Sequence, residues 1–299
     1  MRPGNGASGR VTVVVATRNR RAELLATVRR LRALPERPEV IVVDNGSTDG
    51  TSAAVRGLAD AGVLALRLGR NLGAPARNVG AAAARTPYVA FSDDDSWWEP
   101  GALARAADVL DRNPRLGLLA ARTLVGRWRA SDPINAAMAK TPLPAGPALP
   151  GPPVLGFLAC AAVVRRGAFL DVGGFSEVLF FVGEERLLAY DLAAAGWDLC
   201  HVPEVVAIHD PSPRRAGGSA RRRAELRNTL LTAWLRRPAR VAVRETVRLT
   251  ARAGTDRAAL PALAGAARRL PAALAERRPL PRPVERAARL LETHVPGPA

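Results

Sequence analysis

The sequence predicts an α/β fold in which helices cover both faces of a mostly parallel sheet, with a helical extension at the C-terminal end. Short apolar runs rich in β-branched residues alternate with segments of helical periodicity, which is the pattern of βαβ units. Turn-forming residues separate these segments, and the last quarter of the chain shows helical patterns alone. The composition agrees, because 48% hydrophobic and 24% charged residues are typical of globular proteins.

The first half of the chain alternates predicted strands with predicted helices. Val11–Ala16 is almost wholly β-branched, as in a strand buried on both faces, and Arg20–Leu34 then has helical spacing until Pro35 ends it. The later apolar runs predict strands at Val40–Val43, Val63–Leu68, Tyr88–Phe91 and Leu116–Ala121. The segments between them predict helices at Thr51–Asp60, Ala74–Ala84 and Gly101–Asn113.

The second half departs from this alternation. A Pro-rich loop predicted over 126–156 leads into a strand at Phe157–Val164, and a helix follows from about Glu184 to Ala195. Two further strands are predicted near Leu199 and at Val205–Ile208. From residue 221 onward the pattern is helical, with predicted breaks at Pro238, Gly254, Pro271 and Pro279.

The chain is strongly basic, and the excess charge is concentrated at its C-terminal end. The formal net charge is +17, and residues 221–299 contain 18 arginines and six acidic residues, a net of +12. Such a segment suits an anionic membrane surface, nucleic-acid phosphates or a solvated helical face. Two cysteines exclude a disulfide scaffold. There is no apolar run of 18 residues and no signal-peptide pattern, so we expect neither a membrane span nor a leader.

Three of the predicted strands end in polar residues suited to a nucleotide. The runs are TRNR at 17–20, DNGSTD at 44–49 and DDD at 93–95, and ligands bind beyond the carboxyl ends of strands in open α/β sheets. Adjacent carboxylates repel one another, which favours a bound Mg²⁺ or Mn²⁺ over the alternative of a solvated acidic turn. GxxxxGK[ST] is absent, and no GxGxxG follows the first strand, so a P-loop enzyme is excluded and a nicotinamide-binding domain is disfavoured.

Four motifs in this order resemble the bacterial family 2 glycosyltransferases of the GT-A fold. They read VVATRNR, VVDNGSTD, NLGAPARNVG and FSDDD, and the similarity extends over roughly residues 10–235. The resemblance implies a Rossmann-like GT-A sheet and divides the chain into a flexible N-terminus (1–10), a nucleotide-sugar-binding half (11–125), the Pro-rich loop (126–156), an acceptor-binding half (157–212) and a basic helical extension (213–299).

The resemblance also implies roles for individual residues in donor and metal binding. The expected nucleotide-sugar contacts are Thr17, Asp44, Arg77, Asp93 and Asp94. Among these, Asp44 would receive the nucleobase. Arg77 would be a second nucleotide contact, and the alternative interpretation is an arginine that only covers the surface of its helix. Asp93 and Asp95 match the outer carboxylates of an Asp-x-Asp motif, and with His209 they would hold a divalent cation, Mn²⁺ or Mg²⁺. His201 has no such motif and is expected to be structural. Core packing is expected for Trp97 and Trp98, with stacking on a sugar as the alternative.

A pair of acids in the second half is the predicted source of the general base. Gly173-Gly174-Phe175 is similar to the turn before the family's acceptor region, and Glu184 and Glu185 stand where relatives carry Glu-Asp. The family's base is the second acid, which favours Glu185 and leaves Glu184 as the alternative. An acidic pair also suits a helix N-terminus, so a structural role stays open. Asp191 stands where many relatives carry a basic residue.

The implied reaction is a metal-dependent, hexosyltransferase-like single displacement with inversion. A carboxylate would take the proton of an acceptor hydroxyl as the sugar leaves its nucleoside diphosphate. The acceptor class stays open among a glycan, a lipid-linked molecule and a small molecule, and no nucleic acid is expected. The expected location is the cytoplasm, where the basic helices could contact the inner face of the cell membrane.

Two alternatives stay open at this stage. A nucleotidyltransferase of related fold would need a basic Gly-rich phosphate loop after the first strand, which the TRN of residues 17–19 does not provide. A non-catalytic protein that binds nucleic acid or a membrane surface would fit the basic tail. However, aromatic residues make up only 4% of the chain, which is few for stacking on bases.

Overall fold

The structure, a computed structural model, describes residues 9–58, 62–146, 149–211 and 218–294. Four of its strands lie side by side in the order β3-β2-β1-β4 and all run parallel. These strands are β1 (Val11–Thr17), β2 (Glu39–Asp44), β3 (Val63–Arg67) and β4 (Tyr88–Asp93). The helices that connect them are α1 (Arg21–Arg32), α2 (Thr51–Arg56) and α3 (Ala76–Ala83). Helix α2 is shorter than predicted, and residues 59 and 60 of that prediction lie outside the described residues.

The rest of the sheet is mixed. Its strands are β5 (Ser96–Trp98), β6 (Leu116–Val125), β7 (Ala130–Ser131), β8 (Ala162–Arg165) and β9 (Asp198–His209). Strand β8 lies antiparallel between β4 and β6, whereas β9 runs parallel to β6. The accompanying helices are α4 (Ala102–Arg112), α5 (Pro133–Ala139), α6 (Arg166–Asp171) and α7 (Glu184–Ala194). Across the described ranges, nine strands form this one sheet.

Helices cover both faces of the sheet, so the predicted α/β class is confirmed. On one face, apolar side chains of α1 and α4 pack against β1 and β2. On the other face, α3, α6 and α7 pack around Phe91, Phe169 and Phe175, whose ring centroids lie 5.2–5.6 Å apart. Because the central strands are buried on both faces, their sequences are continuous apolar runs, which explains why periodicity located them.

Three predictions for the second half were wrong in part. The predicted strand at Phe157–Val164 is a 3-10 turn at Ala159–Ala161 followed by β8. The two strands predicted near Leu199 and at Val205–Ile208 are one strand, β9, with a register shift that places Pro203 in a bulge. The segment predicted as a loop contains α5, where Asp132 accepts a hydrogen bond from the Ile134 amide (2.9 Å) and a proline follows.

The C-terminal segment forms four helices in the described residues, α8 (Gly218–Arg236), α9 (Ala239–Ala251), α10 (Ala259–Ala275) and α11 (Arg282–Thr293). The predicted break at Pro271 is wrong, because this proline lies inside α10. Ala266 and Ala273 on either side of it are buried, so packing offsets the hydrogen bond that proline cannot make. None of the described helices combines the length and apolar character needed to cross a membrane.

A buried ion pair ties this helical extension to α7. Arg236 of α8 contacts both carboxylate oxygens of Asp191, with Nη2 3.0 Å from Oδ2. Arg236 also donates through Nη1 to the carbonyl oxygens of Leu235 (3.1 Å) and Glu276 (2.9 Å). Asp191 is therefore the partner of an arginine from the extension.

We predict that Asp191→Ala lowers the free energy of unfolding by about 3–5 kcal/mol, because it leaves the buried Arg236 without a counter-ion. Urea unfolding followed by circular dichroism measures this change. The control is Glu225→Ala, which removes an exposed ion pair to Arg221 (3.0 Å) on the same extension and should cost no more than about 1 kcal/mol. Equal losses in the two variants would contradict the prediction.

Candidate active site

The carboxyl ends of three parallel strands bring the predicted polar residues to one edge of the sheet. Thr17 at the end of β1 is in register with Asp44 at the end of β2. On the other side of β1, Ala16 is in register with Asp93 at the end of β4. The residues that follow these strands therefore surround one cleft, as expected for an open α/β sheet.

Asp44 lies at the end of β2, in a tightly held loop. Its carboxylate accepts hydrogen bonds from the Ser47 amide (2.9 Å) and from the Ser52 hydroxyl, and the residue is only 2% exposed. Gly46 has φ +76°, and a Cβ there would lie 3.0 Å from the backbone of Arg70. The loop can therefore carry only glycine at this point, and it fixes the orientation of the Asp44 carboxylate.

Asp93 is the member of the acidic triplet that faces the cleft. Its side chain is one-third exposed and forms an ion pair with Arg77 of α3. Its backbone amide donates to the Ser96 hydroxyl (2.7 Å), which anchors the end of β4. A partly exposed carboxylate at a strand end is available to a ligand. Donor and metal binding by Asp93 therefore stays a prediction.

Asp94 and Asp95 are instead joined by Arg20, which the sequence had not singled out. Arg20 Nε lies 2.8 Å from Asp94, and Arg20 Nη2 donates to Asp95 over 2.8 Å. Thr17 donates its hydroxyl hydrogen to the second oxygen of Asp94 (2.8 Å). Burial raises the pKa of Asp94 to about 7, and Arg20 and Thr17 offset only part of this effect. An internal arginine thus relieves part of the repulsion within the triplet.

A group of potential metal ligands lies beside Asp93. Ligand atoms of Asp93, Cys160 and His209 all lie within 4.8 Å of one another, and Asp95 approaches His209 Nε2 to 3.5 Å. Carboxylate oxygen and imidazole nitrogen are donor types that Mn²⁺ accepts, so the residues present fit a divalent cation. The predicted ligands Asp93, Asp95 and His209 are therefore neighbours, and Cys160 joins them unpredicted. Burial raises the pKa of the Cys160 thiol, which favours its neutral form.

Arg77 links this group to the two glutamates. The arginine is 5% exposed, and besides its ion pair with Asp93 it is attracted by Glu184 and Glu185. Burial opposes its charge, but these carboxylates hold the pKa of Arg77 above its usual range. One guanidinium thus lies among three carboxylates drawn from the two halves of the site.

The glutamates at the start of α7 differ in accessibility. Glu184 is 2% exposed, and its Oε2 has no hydrogen-bond partner among the described residues. Burial, with a further contribution from Glu185, raises the pKa of Glu184 to about 8. Glu185 is half-buried, and burial also raises its pKa, while the Ala159 backbone lowers it. The helix begins directly after Gly183, whose φ is +82°, so the turn delivers both acids to the cleft.

Other candidate residues have structural roles in the described parts of the chain. His201 lies in β9 and its Nδ1 contacts the Ala120 carbonyl at 2.9 Å, which agrees with the expected structural role. Trp98 is fully buried in the core, and Trp97 packs under the guanidinium of Arg30 with 3.7 Å between them. Arg20 belongs to the TRNR run at 17–20, but its contacts with Asp94 and Asp95 were not predicted, and Cys160 belongs to none of the motifs.

Two proteins of Mycobacterium tuberculosis are similar to this chain. The pre-mycofactocin glycosyltransferase is 34% identical over 220 residues, which cover 70% of this chain and 44% of that protein. The N-acetylglucosaminyl-diphospho-decaprenol L-rhamnosyltransferase is 30% identical over 218 residues, which cover 58% of this chain and 67% of that protein. The chain thus spans less than half the length of the first of these relatives.

Solved structures share the fold at lower identity. The mannosyltransferase PcManGT from Pyrobaculum calidifontis, in complex with GDP-Man and Mn²⁺, has a TM-score of 0.58 at 24% identity, over 95% of this chain and 79% of that chain. S. aureus TarS 1–349, in complex with UDP-GlcNAc, has a TM-score of 0.57 at 18% identity, over 75% and 66% of the two chains. These matches confirm the GT-A type of fold.

The family model "Glycosyl transferase family 2" matches residues 12–173. This range is more than half of the 299 residues and contains β1 to β4 with all four motifs of the first half. The chain belongs to glycosyl transferase family 2.

Proposed function

We propose that this chain is an inverting glycosyltransferase that moves a sugar from a nucleoside-diphosphate sugar to a hydroxyl acceptor. The observation that carries the proposal is the cleft itself, where Asp93 and the glutamate pair meet through Arg77. A nucleotide-sugar donor is supported by the family and by structural neighbours whose descriptions name GDP-Man and UDP-GlcNAc.

The donor would bind along the ends of β1, β2 and β4. We assign Asp44 to the nucleobase and Asp93 to the ribose, with Thr17 and Asp94 supporting them from inside the fold. Arg77 would hold Asp93 in place and add positive charge near the donor. A divalent cation held by Asp93 and His209, beside Asp95, would neutralise charge on the diphosphate when bound.

We assign Glu185 as the general base because it is the second acid of the pair, the position that the family resemblance favours. Glu185 also keeps part of its surface exposed, whereas Glu184 is 2% exposed. The acceptor oxygen attacks the anomeric carbon while its proton passes to the Glu185 carboxylate. The bond from that carbon to the diphosphate breaks, and the diphosphate leaves with the electron pair. Attack from the side opposite the leaving group inverts the configuration.

The proposed donor site predicts stabilisation by nucleotide sugars. A donor at 100 times its dissociation constant should stabilise the fold by about 2.7 kcal/mol, which raises Tm by about 5–10 °C. Differential scanning fluorimetry with GDP-Man and UDP-GlcNAc, with and without Mn²⁺, measures this shift. Asp93→Asn should abolish the part of the shift that depends on Mn²⁺, whereas Asp108→Asn, at an exposed ion pair with Arg10, should retain it. No shift with any nucleotide sugar would contradict the proposed function.

The assignment of the base predicts a separation of binding from turnover. Glu185→Gln should lower kcat for release of nucleoside diphosphate by about 10²–10⁴-fold, because the amide cannot take a proton. The dissociation constant of the donor should stay within about twofold by calorimetry, since Glu185 is assigned to the acceptor. Glu204→Gln, on the exposed bulge of β9, is the matched control. A larger loss in Glu184→Gln than in Glu185→Gln would reverse the assignment.

Activity should also depend on pH in a defined direction. A base must be ionised, and burial raises the pKa of Glu185 above the ordinary value of 4.5. As pH falls through this raised pKa, kcat/KM should fall tenfold per pH unit, and it should level off at higher pH. A pH profile of kcat/KM measures this limb, and a limb centred at an ordinary glutamate pKa would contradict the assignment.

We further propose that α9 places the enzyme on an anionic membrane surface. Arg240, Val243, Arg244, Val247 and Arg248 follow at intervals of one to three residues and form one exposed face. The two valines are 51% and 62% exposed, and a face that combines apolar and basic side chains suits a bilayer interface. One relative carries decaprenol in the name of its substrate, which supports a lipid-linked acceptor.

Vesicle binding tests this surface with the full chain. Co-sedimentation should occur with phosphatidylglycerol vesicles and not with phosphatidylcholine alone. Replacing Arg240, Arg244 and Arg248 by glutamine should weaken binding about 100-fold, at about 1 kcal/mol for each arginine. The control replaces the exposed Arg29, Arg32 and Arg56, an equal change in net charge on other helices. Equal weakening in the two triple variants would indicate a response to net charge alone and contradict the proposal.

A further inference from the structure

The segment that leads into the glutamate pair has an unusual backbone. Phe180 and Val182 have φ values of +69° and +77°, in the left-handed region that bulky and β-branched residues rarely adopt. Gly183 follows at +82°, and α7 begins at Glu184. Such a conformation persists only where surrounding contacts hold it. The position of Glu184 and Glu185 therefore depends on the contacts that keep residues 178–183 in this conformation.

The donor half of the site holds one side of this segment. The Ala74 amide donates to the Phe180 carbonyl oxygen over 2.6 Å. A Cβ at Gly73 would clash with that same oxygen, so only glycine allows the two backbones to approach. This contact joins the NLGAP motif at the start of α3 to the segment before the glutamates.

Helix α8 of the C-terminal extension holds the other side. Asn228 is 2% exposed, and its Nδ2 lies 2.6 Å from the carbonyl oxygen of Val182, 2.8 Å from that of Phe181 and 3.0 Å from that of Leu179. Arg227 orients this amide by donating from Nε to Asn228 Oδ1 (2.8 Å).

Two arginines of the extension complete the contacts with this segment. Arg227 Nη2 donates to the Leu179 carbonyl oxygen over 3.2 Å, and Arg269 Nη1 of α10 donates to that of Val178 over 2.6 Å. The carbonyl groups of residues 178, 179, 181 and 182 therefore contact side chains of α8 and α10, two helices outside the α/β sheet.

We infer that Asn228 is a positioning residue for the general base. Its Nδ2 has two hydrogens, which the three carbonyl oxygens share, and these contacts fix the left-handed turn that sets the start of α7, and with it Glu184 and Glu185. The same turn leaves the ring of Phe181 49% exposed, three residues before Glu184, where an acceptor would approach. The inference rests on the proposed function, because it assigns catalysis to this glutamate pair.

The test compares Asn228→Ala with a control that weakens the same helices elsewhere. Asn228→Ala should lower kcat for nucleoside diphosphate release by about 10²-fold, as expected when a reacting group is displaced by about 1 Å. The dissociation constant of GDP-Man or UDP-GlcNAc with Mn²⁺, whichever stabilises the wild-type chain, should change by less than about twofold. Asn228→Gln keeps an amide donor and should recover part of kcat.

Thr246→Val is the matched control. It removes the hydrogen bond from Trp234 Nε1 to Thr246 Oγ1 (3.1 Å) between α8 and α9 and should lower Tm without changing kcat. Hydrogen exchange of the amides of residues 178–183 should be faster in Asn228→Ala than in Thr246→Val, a readout that needs no activity. Equal kcat in Asn228→Ala and wild type, or donor affinity lost in parallel with kcat, would overturn the inference. Failure of the wild-type chain to bind any donor would instead contradict the proposed function.

Discussion

The site depends on one buried guanidinium. Arg77 forms an ion pair with Asp93 and is attracted by Glu184 and Glu185, so a single positive charge offsets carboxylates that would otherwise repel one another. Helix α3, which carries Arg77, packs on β1 and β2, and this packing sets the position of Arg77 relative to the ends of the strands.

The three adjacent aspartates at 93–95 differ in their burial and in their contacts. Strand β4 ends at Asp93 and the chain turns at Asp94 and Asp95, so Asp94 is buried and accepts a hydrogen bond from Thr17 while Asp93 stays partly exposed beside Arg77. Arg20 then draws Asp94 and Asp95 together, and Asp95 still reaches His209. The sequence could indicate an acid-rich strand end, but it could not indicate how Arg20, the residue just before α1, pairs with two of the three carboxylates.

The central sheet was predictable because its signals are local. Runs such as Val11–Ala16 are apolar throughout since both faces are buried, and parallel strands place their carboxyl ends at one edge. Pro271 and the bulge at Pro203 were misread because tertiary packing overrides the tendency of proline to break helices and strands. Cys160 was not predicted as a potential ligand, and no role was predicted for Asn228, for a different reason. Their contacts are distant in sequence, and one residue at such a distance leaves no periodic signal.

Because α8 contacts the turn before Glu184, it limits where the chain can be truncated. The family match ends at residue 173, ahead of both glutamates and of every residue in the extension. A fragment trimmed to that boundary would keep Asp44, Arg77 and the acidic triplet and lack Glu184 and Glu185. One ending after β9 would keep the acids but lose Asn228 and the Arg236 partner of Asp191. The smallest unit able to hold the whole cleft in place therefore includes the helices that follow the sheet.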